Sequence, residues 1–290
     1  MSTASLVRLV VLADDYAGYE TRNLLAQHGL SIYIEIMDEN SKIHKILFDT
    51  GQYGEAIIHN ANLLGINLSE IDSIVLSHNH YDHTGGLLSI LKYTKKRIPI
   101  IAHPDIFKPS IYISENNIRL NIGLPHTRRE YEEQGAYFIL VKNPIEIAPG
   151  VYFLGEINRY YPELAPVLES NYTIENYELV KHKLLDDTGL AIKTEKGVIV
   201  IGGCSHSGIV NIVEHASRIT GSKPYSVIGG FHLLSIDREK IETIVEKLYS
   251  MGVEEVHAGH CTGFLGELLL MNTFGEKFKK IHVGYSITYP

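Results

Sequence analysis

Apolar runs rich in β-branched residues alternate with amphipathic segments along most of the chain. Strands repeat every two residues and helices every 3.6, so the spacing of the apolar positions separates the two. Before residue 105, the pattern predicts strands at 6–13, 30–37, 43–48, 73–77 and 98–102, and helices over 54–64 and from about Thr84. After residue 188, it predicts strands at 189–193, 198–202, 225–229 and 253–257, and helices at 208–219, 238–250 and 263–272. This alternation indicates an α/β fold with helices covering the sheets.

The stretch from about 105 to 188 interrupts this regularity. It is rich in tyrosine and proline, and only 136–141 and 151–154 have the pattern of strands. A loop of this length without structure is improbable inside a compact domain. We therefore expect an inserted cap, 105–188, with some structure of its own inside a single domain of residues 1–290.

The strongest polar signal is the sequence His78-Asn79-His80-Tyr81-Asp82-His83, directly after an apolar strand. An extended chain would place alternate residues, His78, His80 and Asp82, on one face, and a turn would bring His83 round. Imidazole nitrogens with a carboxylate suit Zn, and also Mn or Fe. Four such side chains in one loop favour two metal ions over one, and a polar loop with no metal is the alternative.

Further ligand-type side chains follow other predicted strands, which is where layered α/β folds collect functional residues. They are Cys204 and His206 after GVIVIGG, His232 after SVIGG, His260 and Cys261 after EEVHAG, and Asp49 after KILF. We predict that Cys204, His206 and His260 bind metal and that Asp49 orients a metal-binding histidine. For Cys204 and Cys261, burial as small apolar residues and a disulfide remain alternatives.

Composition narrows the range of functions. The 15 histidines in 290 residues fit a metal site, although surface histidines would give the same count. The net charge of −8 disfavours a nucleic-acid partner. No apolar run reaches the roughly 20 residues that span a bilayer, and no basic leader precedes the first strand. We expect a cytoplasmic protein with no membrane partner; it could form a homo-oligomer.

The loop H-x-H-x-D-H followed by Gly-Gly, with Asp49-Thr50-Gly51 ending an earlier strand, resembles the metallo-β-lactamase superfamily. The resemblance implies a four-layer αββα sandwich with two divalent metal ions at one edge, Zn first, with Mn, Fe or Mg as alternatives. It assigns His78 and His80 to one metal, Asp82 and His83 to the other, and Cys204 and His260 to the remaining positions. The family's third histidine has no clear match, because Asp186-Asp187-Thr188 occupies the expected turn. We expect His206 to replace it, with His182 as the alternative.

A narrower resemblance rests on the segments HGLSIYIE, LFDTGQ, GEINRYYPE, GGCSHSGIVNIV, VIGGFHLL and GHCTG. Together they are similar to the superfamily's dihydropterin-ribofuranosylaminobenzene 5′-phosphate synthase subgroup. That similarity implies a phosphorylated small-molecule substrate, a pterin diphosphate, and carbon–nitrogen bond formation with loss of diphosphate. Phosphoester or ester hydrolysis is the alternative on the same scaffold.

The expected catalytic residues are Asp82, His206 and His232, of which the two histidines are candidate proton donors. Arg159 is the candidate for binding a substrate phosphate, ahead of Arg128 and Arg129, although a surface ion pair would equally explain it. Two functions of other classes remain: a di-iron redox protein and a non-catalytic metal-binding protein. The first would replace a loop histidine with a carboxylate, which His80 argues against.

Overall fold

The strands and helices follow the apolar pattern closely in the computed structural model, which describes residues 3–19, 22–115, 117–119, 121–234 and 236–290. The strands are β1 (Ala4–Ala13), β2 (Ser31–Asp38), β3 (Ile43–Phe48), β4 (Ser73–Val75), β5 (Ile98–Ala102), β6 (Ile111–Ser114), β7 (Asn117–Arg119), β8 (Ala136–Leu140), β9 (Ile145–Ala148), β10 (Val151–Phe153), β11 (Asn171–Glu175), β12 (Glu178–Lys181), β13 (Gly189–Thr194), β14 (Gly197–Gly202), β15 (Pro224–Gly230), β16 (Glu255–Gly259), β17 (Phe278–Lys280) and β18 (Ser286–Tyr289). The α-helices are α1 (Gly54–Leu63), α2 (Tyr81–Thr84), α3 (Leu87–Thr94), α4 (Arg128–Glu133), α5 (Ile209–Thr220), α6 (Arg238–Ser250) and α7 (Gly263–Phe274). Short 3₁₀ helices lie at Leu68–Glu70, Pro104–Phe107, Pro162–Leu164, His260–Thr262 and Gly275–Lys277.

Two sheets pack face to face through their apolar sides. The first has the order β18-β1-β2-β3-β4-β5-β8 and the second the order β17-β16-β15-β14-β13-β10-β9. Ile34 and Phe48 of the first sheet share one buried cluster with Phe153 and Ile199 of the second. Burying two apolar faces against each other removes both from water, which drives the sandwich together.

Helices cover the outer face of each sheet. One buried cluster joins α1 and α3 to the first sheet, and another joins α5, α6 and α7 to the second. The predicted four-layer αββα sandwich is therefore confirmed. None of the helices within the described residues has both the length and the apolarity that crossing a membrane requires.

Parallel pairing brings several strand ends to one edge of the sandwich. β3, β4 and β5 are parallel in the first sheet, and β14, β15 and β16 are parallel in the second. The carboxyl ends of parallel strands meet at the same edge of a sheet, so the residues that follow them are brought together.

The stretch expected to form one inserted cap is divided among three sheets. β8 is the edge strand of the first sheet, and β9 and β10 form the edge of the second. Only β6, β7, β11 and β12 form a separate four-stranded sheet, with the order β12-β11-β6-β7. Within 105–188, the separate sheet consists of two short hairpins, because the apolar strands between them pair with the two main sheets.

The metal-type loop also differs from the expected extended chain. The strand before it ends at Val75, and Tyr81–Thr84 forms the helical turn α2. The next helix begins at Leu87 rather than near Thr84. An extended chain would have put Asp82 with His78 and His80, whereas the helical turn α2 carries Asp82 and His83, and Asp82 lies with His83 in a separate cluster of possible ligands.

Candidate metal centre

Three histidines from two strand ends form a compact cluster, named here the three-histidine group: His78, His80 and His206. Their ring centroids are 4.7, 4.8 and 4.9 Å apart. Nε2 of His206 lies 3.2 Å from Nδ1 of His80, and the buried Nε2 of His78 has no hydrogen-bond partner among the described residues. A cation shared by three imidazole lone pairs would satisfy nitrogen atoms that otherwise lack a partner.

The electrostatics of the three-histidine group keep its imidazoles neutral. Burial lowers the pKa of His80 to about 3, and it also holds the pKa of His78 and of His206 well below the usual range. A neutral imidazole is the form that binds a metal. The group therefore presents free lone pairs at neutral pH.

Four more side chains surround a second point, and we name them the four-residue group: Asp82, His83, Cys204 and His260. Nε2 of His83 and Nε2 of His260 are 3.2 Å apart, and Sγ of Cys204 is 3.3 and 3.2 Å from them. Oδ2 of Asp82 is 3.4 Å from each of the same two nitrogens. Imidazole nitrogens, a carboxylate oxygen and a sulfur this close together form a donor set that Zn accepts.

Carboxylates next to the histidines of the four-residue group raise the pKa values of these histidines. Burial by itself lowers the pKa of His83, but the carboxylates of Asp82 and Asp49 raise it to about 9. The pKa of the buried Cys204 thiol is raised by burial. Protons on the histidines thus take the place that a divalent cation would fill. Cys204 also lies within 4.8 Å of the ligand nitrogens of His206 and His232, so its sulfur stands between the two groups.

Asp49 lies where a carboxylate that orients a metal-binding histidine has to lie. Its Oδ2 is 2.7 Å from Nδ1 of His83 and accepts from the hydroxyl of Ser77 at 2.7 Å. Its Oδ1 accepts from the backbone N–H of Ser77 at 2.7 Å. These contacts direct Nε2 of His83 into the four-residue group.

Sequence reasoning missed two acidic residues that hold His260. Oδ2 of Asp14 accepts from the backbone N–H of His260 at 2.9 Å, and Oδ2 of Asp15 lies 2.6 Å from its Nδ1. Both follow the end of β1 directly, which is the signal that led to the other site residues. The same criterion, applied to the first strand, would have found them.

The Asp186-Asp187 pair was noted only as a departure from the family pattern, and it holds both loops of the three-histidine group. Asp186 accepts from the backbone N–H of Asn79 at 2.8 Å, and Asp187 accepts from the backbone N–H of Ser207 at 2.8 Å. Burial and the neighbouring Asp187 carboxylate raise the pKa of Asp186 to about 8. His182, the alternative third histidine, instead lies 2.9 Å from the hydroxyl of Ser110. No cluster of potential metal ligands found in the described parts of the chain includes it.

His232 borders the three-histidine group, with its ring centroid 4.4 Å from that of His206. Its Nδ1 is buried and has no partner among the residues that the structure describes. Both cysteines are free thiols, so the disulfide alternative is excluded in this structure. Cys261 accepts from the backbone N–H of His232 at 3.3 Å and donates to the carbonyl of Cys204 at 3.5 Å.

The candidate phosphate-binding arginines differ in their surroundings. Arg159 is exposed and donates to the backbone carbonyl of Lys183 at 2.6 Å. Burial raises the pKa of the Asp187 carboxyl, and the positive charge of Arg159 acts in the opposite direction. Arg128 and Arg129 form ion pairs at 2.6 and 2.8 Å with Glu132 and Glu133 along α4. Of the three arginines, Arg159 is the one whose charge acts on Asp187, a residue that holds the three-histidine group.

The loops that form both groups fall within a known family pattern. The family model described as "Metallo-beta-lactamase superfamily" matches residues 29–213. The chain belongs to this superfamily. The superfamily is metal-dependent, and the residues present fit this, because the three-histidine and four-residue groups are clusters that could each hold an ion.

Individual relatives share this metallo-β-lactamase scaffold over nearly their whole length. A Methanocaldococcus jannaschii protein named 7,8-dihydropterin-6-methyl-4-(β-D-ribofuranosyl)-aminobenzene-5′-phosphate synthase is 44% identical over 288 residues, covering 98% of this chain and 97% of that protein. A second protein of that organism, named as uncharacterized, is 34% identical and covers 91% of this chain and 94% of its own. The crystal structure of Tm1679, described as a metal-dependent hydrolase of the β-lactamase superfamily, aligns with a TM-score of 0.80 and 27% identity over 97% of this chain and 98% of that chain.

Proposed function

We propose that this protein is an enzyme with two divalent metal ions, most simply Zn, that couples a dihydropterin diphosphate to an aminobenzene ribofuranosyl 5′-phosphate. The observation that carries the dinuclear part is the adjacency of the three-histidine and four-residue groups, with the sulfur of Cys204 between them. The choice of reaction rests on the near full-length similarity to the M. jannaschii synthase. In this reaction a carbon–nitrogen bond forms, the carbon–oxygen bond to diphosphate breaks with its electron pair leaving on diphosphate, and the amine nitrogen releases one proton.

Each of the two groups would bind one metal ion. His78, His80 and His206 would hold one ion, and Asp82, His83, Cys204 and His260 would hold the other. Two bound divalent ions supply Lewis-acid stabilisation of the negative charge that develops on the departing diphosphate. Asp14, Asp15, Asp49, Asp186 and Asp187 keep the ligands oriented through the hydrogen bonds described above.

Proton transfer and phosphate binding are assigned to residues at the border of the groups. His206 and His232 were both candidate proton donors, and we assign this role to His232. Burial holds the pKa of His206 well below the usual range, which favours its neutral, metal-binding form over the imidazolium that would donate a proton. His232 is only partly buried and has an unpartnered ring nitrogen. Arg159 is proposed to bind substrate phosphate, because its exposed guanidinium forms only one side-chain hydrogen bond among the described contacts, to a backbone carbonyl.

Hydrolysis of a phosphoester is the second candidate function, and the similarity to Tm1679 favours it. The same ligands would serve both reactions, so the metal centre does not choose between them. The nucleophile differs: water for hydrolysis and an aromatic amine for coupling.

One experiment separates these functions. Metal-loaded protein is incubated with dihydropterin diphosphate, with and without the aminobenzene ribofuranosyl 5′-phosphate, and both diphosphate release and the coupled product are measured. Coupled product formed with one equivalent of diphosphate supports the proposal. Diphosphate released equally without the acceptor, or turnover only of a model phosphodiester, supports the hydrolase instead. An Arg159→Ala variant should raise KM for the phosphorylated substrates about tenfold or more, whereas Arg129→Ala should leave KM unchanged.

A further inference from the structure

One histidine at the mouth of the four-residue group has no part in the function proposed above. The side chain of His28 is 52% exposed, whereas those of Asp82 and His260 are 9% and 1% exposed. Nε2 of His28 lies 3.6 Å from Oδ2 of Asp82, which is too long for a hydrogen bond. His28 is therefore reachable from solvent and directly adjacent to a buried ligand.

Asp15 fixes the orientation of this imidazole. Its Oδ1 is 2.8 Å from Nδ1 of His28, and its Oδ2 contacts Nδ1 of His260. A carboxylate only accepts hydrogen bonds, so Nδ1 of His28 carries the hydrogen. In the neutral ring, the lone pair is then on Nε2, the nitrogen that lies 3.6 Å from Oδ2 of Asp82.

The backbone next to His28 is held against the metal loop. Gly29 has φ of +112°, and a Cβ at that position would lie 1.8 Å from the backbone carbonyl oxygen of Asp82. Only glycine permits so close an approach. The position of His28 relative to Asp82 is thus fixed by main-chain packing as well as by the contact with Asp15.

The surroundings of Nε2 select the chemistry that it can bind. Carboxylates of Asp15 and Asp82 lie on either side, and they repel an anionic oxygen but favour an N–H donor. The ring centroids of Tyr81 and His260 are 6.3 and 5.4 Å from that of His28, so the nitrogen lies beside aromatic surfaces. An aromatic amine combines the required donor with a ring that packs against such surfaces.

We propose that His28 binds the amino group of the aromatic amine acceptor, accepting its N–H at Nε2, and that Asp15 is the positioning residue for this contact. The inference rests on the proposed function and adds to it a residue that determines specificity for the acceptor. One hydrogen bond of this kind should favour the amine over an analogue that lacks the amino group by about three- to tenfold in Kd.

The test compares two probes on the metal-loaded protein by calorimetry. The probes are 4-(β-D-ribofuranosyl)aminobenzene 5′-phosphate and the analogue in which hydrogen replaces the amino group. Binding is measured at about pH 8.5, well above the ordinary imidazole pKa. The variants are His28→Ala, His28→Gln, whose amide oxygen can accept the same N–H, and His126→Ala as the matched control. His126 is likewise partly exposed and lies beside a carboxylate, that of Glu130.

The wild type and His126→Ala are expected to prefer the amine, His28→Ala to bind both probes equally, and His28→Gln to recover part of the preference. The metal content of all four proteins should be equal. Preference retained in His28→Ala overturns this inference alone, and so does loss of metal from that variant. Wild-type protein that binds neither probe overturns the proposed function, and this inference with it.

Discussion

The Asp49→Asn substitution tests how the four-residue group is held. The carboxylate of Asp49 accepts three hydrogen bonds, two from Ser77 and one from Nδ1 of His83. Asp49 adopts φ of +57°, a conformation that asparagine tolerates well, so the backbone should not change. The substitution therefore removes one negative charge and one acceptor with almost no change in volume.

The effect should act on His83 through its tautomer. The amide nitrogen of the new asparagine is a donor and cannot accept from Nδ1 of His83. The imidazole would then place its hydrogen on Nε2, the atom directed into the four-residue group, and that lone pair would be lost to a metal. A hydrogen bond to a charged group stabilises an arrangement by about 1.5–3 kcal/mol, and the substitution would remove this stabilisation. This agrees with the about 10- to 100-fold loss of metal affinity seen when such a supporting carboxylate is removed.

The assay is competition between apo-protein and a chromogenic chelator for Zn. Wild type should bind two equivalents, and Asp49→Asn should bind one as before and the other about 10- to 100-fold more weakly. Asp38→Asn is the matched control, since Asp38 is also buried and contacts a histidine, His44, at 3.2 Å, at the far end of β2. Unchanged affinity for both equivalents in a folded Asp49→Asn protein would refute the reasoning, as would an equal loss in Asp38→Asn.

Three further results are expected. His206→Ala should lose one of two metal equivalents in elemental analysis, while His182→Ala should keep both. The reverse pattern would show that His182, and not His206, is the third histidine ligand. The pKa of His83 is raised to about 9, and the pKa values of His260 and of the Cys204 thiol are also raised, so a metal must displace protons from these ligands at pH 7, and affinity at the four-residue group should fall at least tenfold for each pH unit below 9. Calorimetry in buffers of different ionisation enthalpy should detect proton release on binding of only one equivalent, and equal release for both would contradict this. In urea denaturation, Gly65→Ala should cost about 1–2 kcal/mol, since it has positive φ and open space around it, while Gly29→Ala should cost more because its Cβ meets backbone; equal losses would contradict the clash.

The sequence by itself determined most strands and helices and the location of the site. Helix α6 lies at 238–250 and strands β3 and β5 at 43–48 and 98–102, as predicted. Local periodicity is enough to predict these elements, because each buries an apolar face and the spacing of its own apolar residues shows whether it is a strand or a helix. The rule that side chains after strand ends converge also selected His78, His206 and His260 before any contact was known.

Tertiary structure alone decided how those residues are grouped. Cys204 and His206 are separated by one residue, Ser205, which has φ of +61°. Cys204 nevertheless joins the four-residue group and His206 the three-histidine group, although the two also lie together beside His232. Asp15 and His28 reach His260 and Asp82 only through sheet packing across more than 50 residues of sequence. The sequence also did not predict that β8, β9 and β10, which lie within the expected cap, pair with the two main sheets. Periodicity records which face of an element is buried, whereas side-chain direction in turns and contacts between distant strand ends depend on the assembled sandwich.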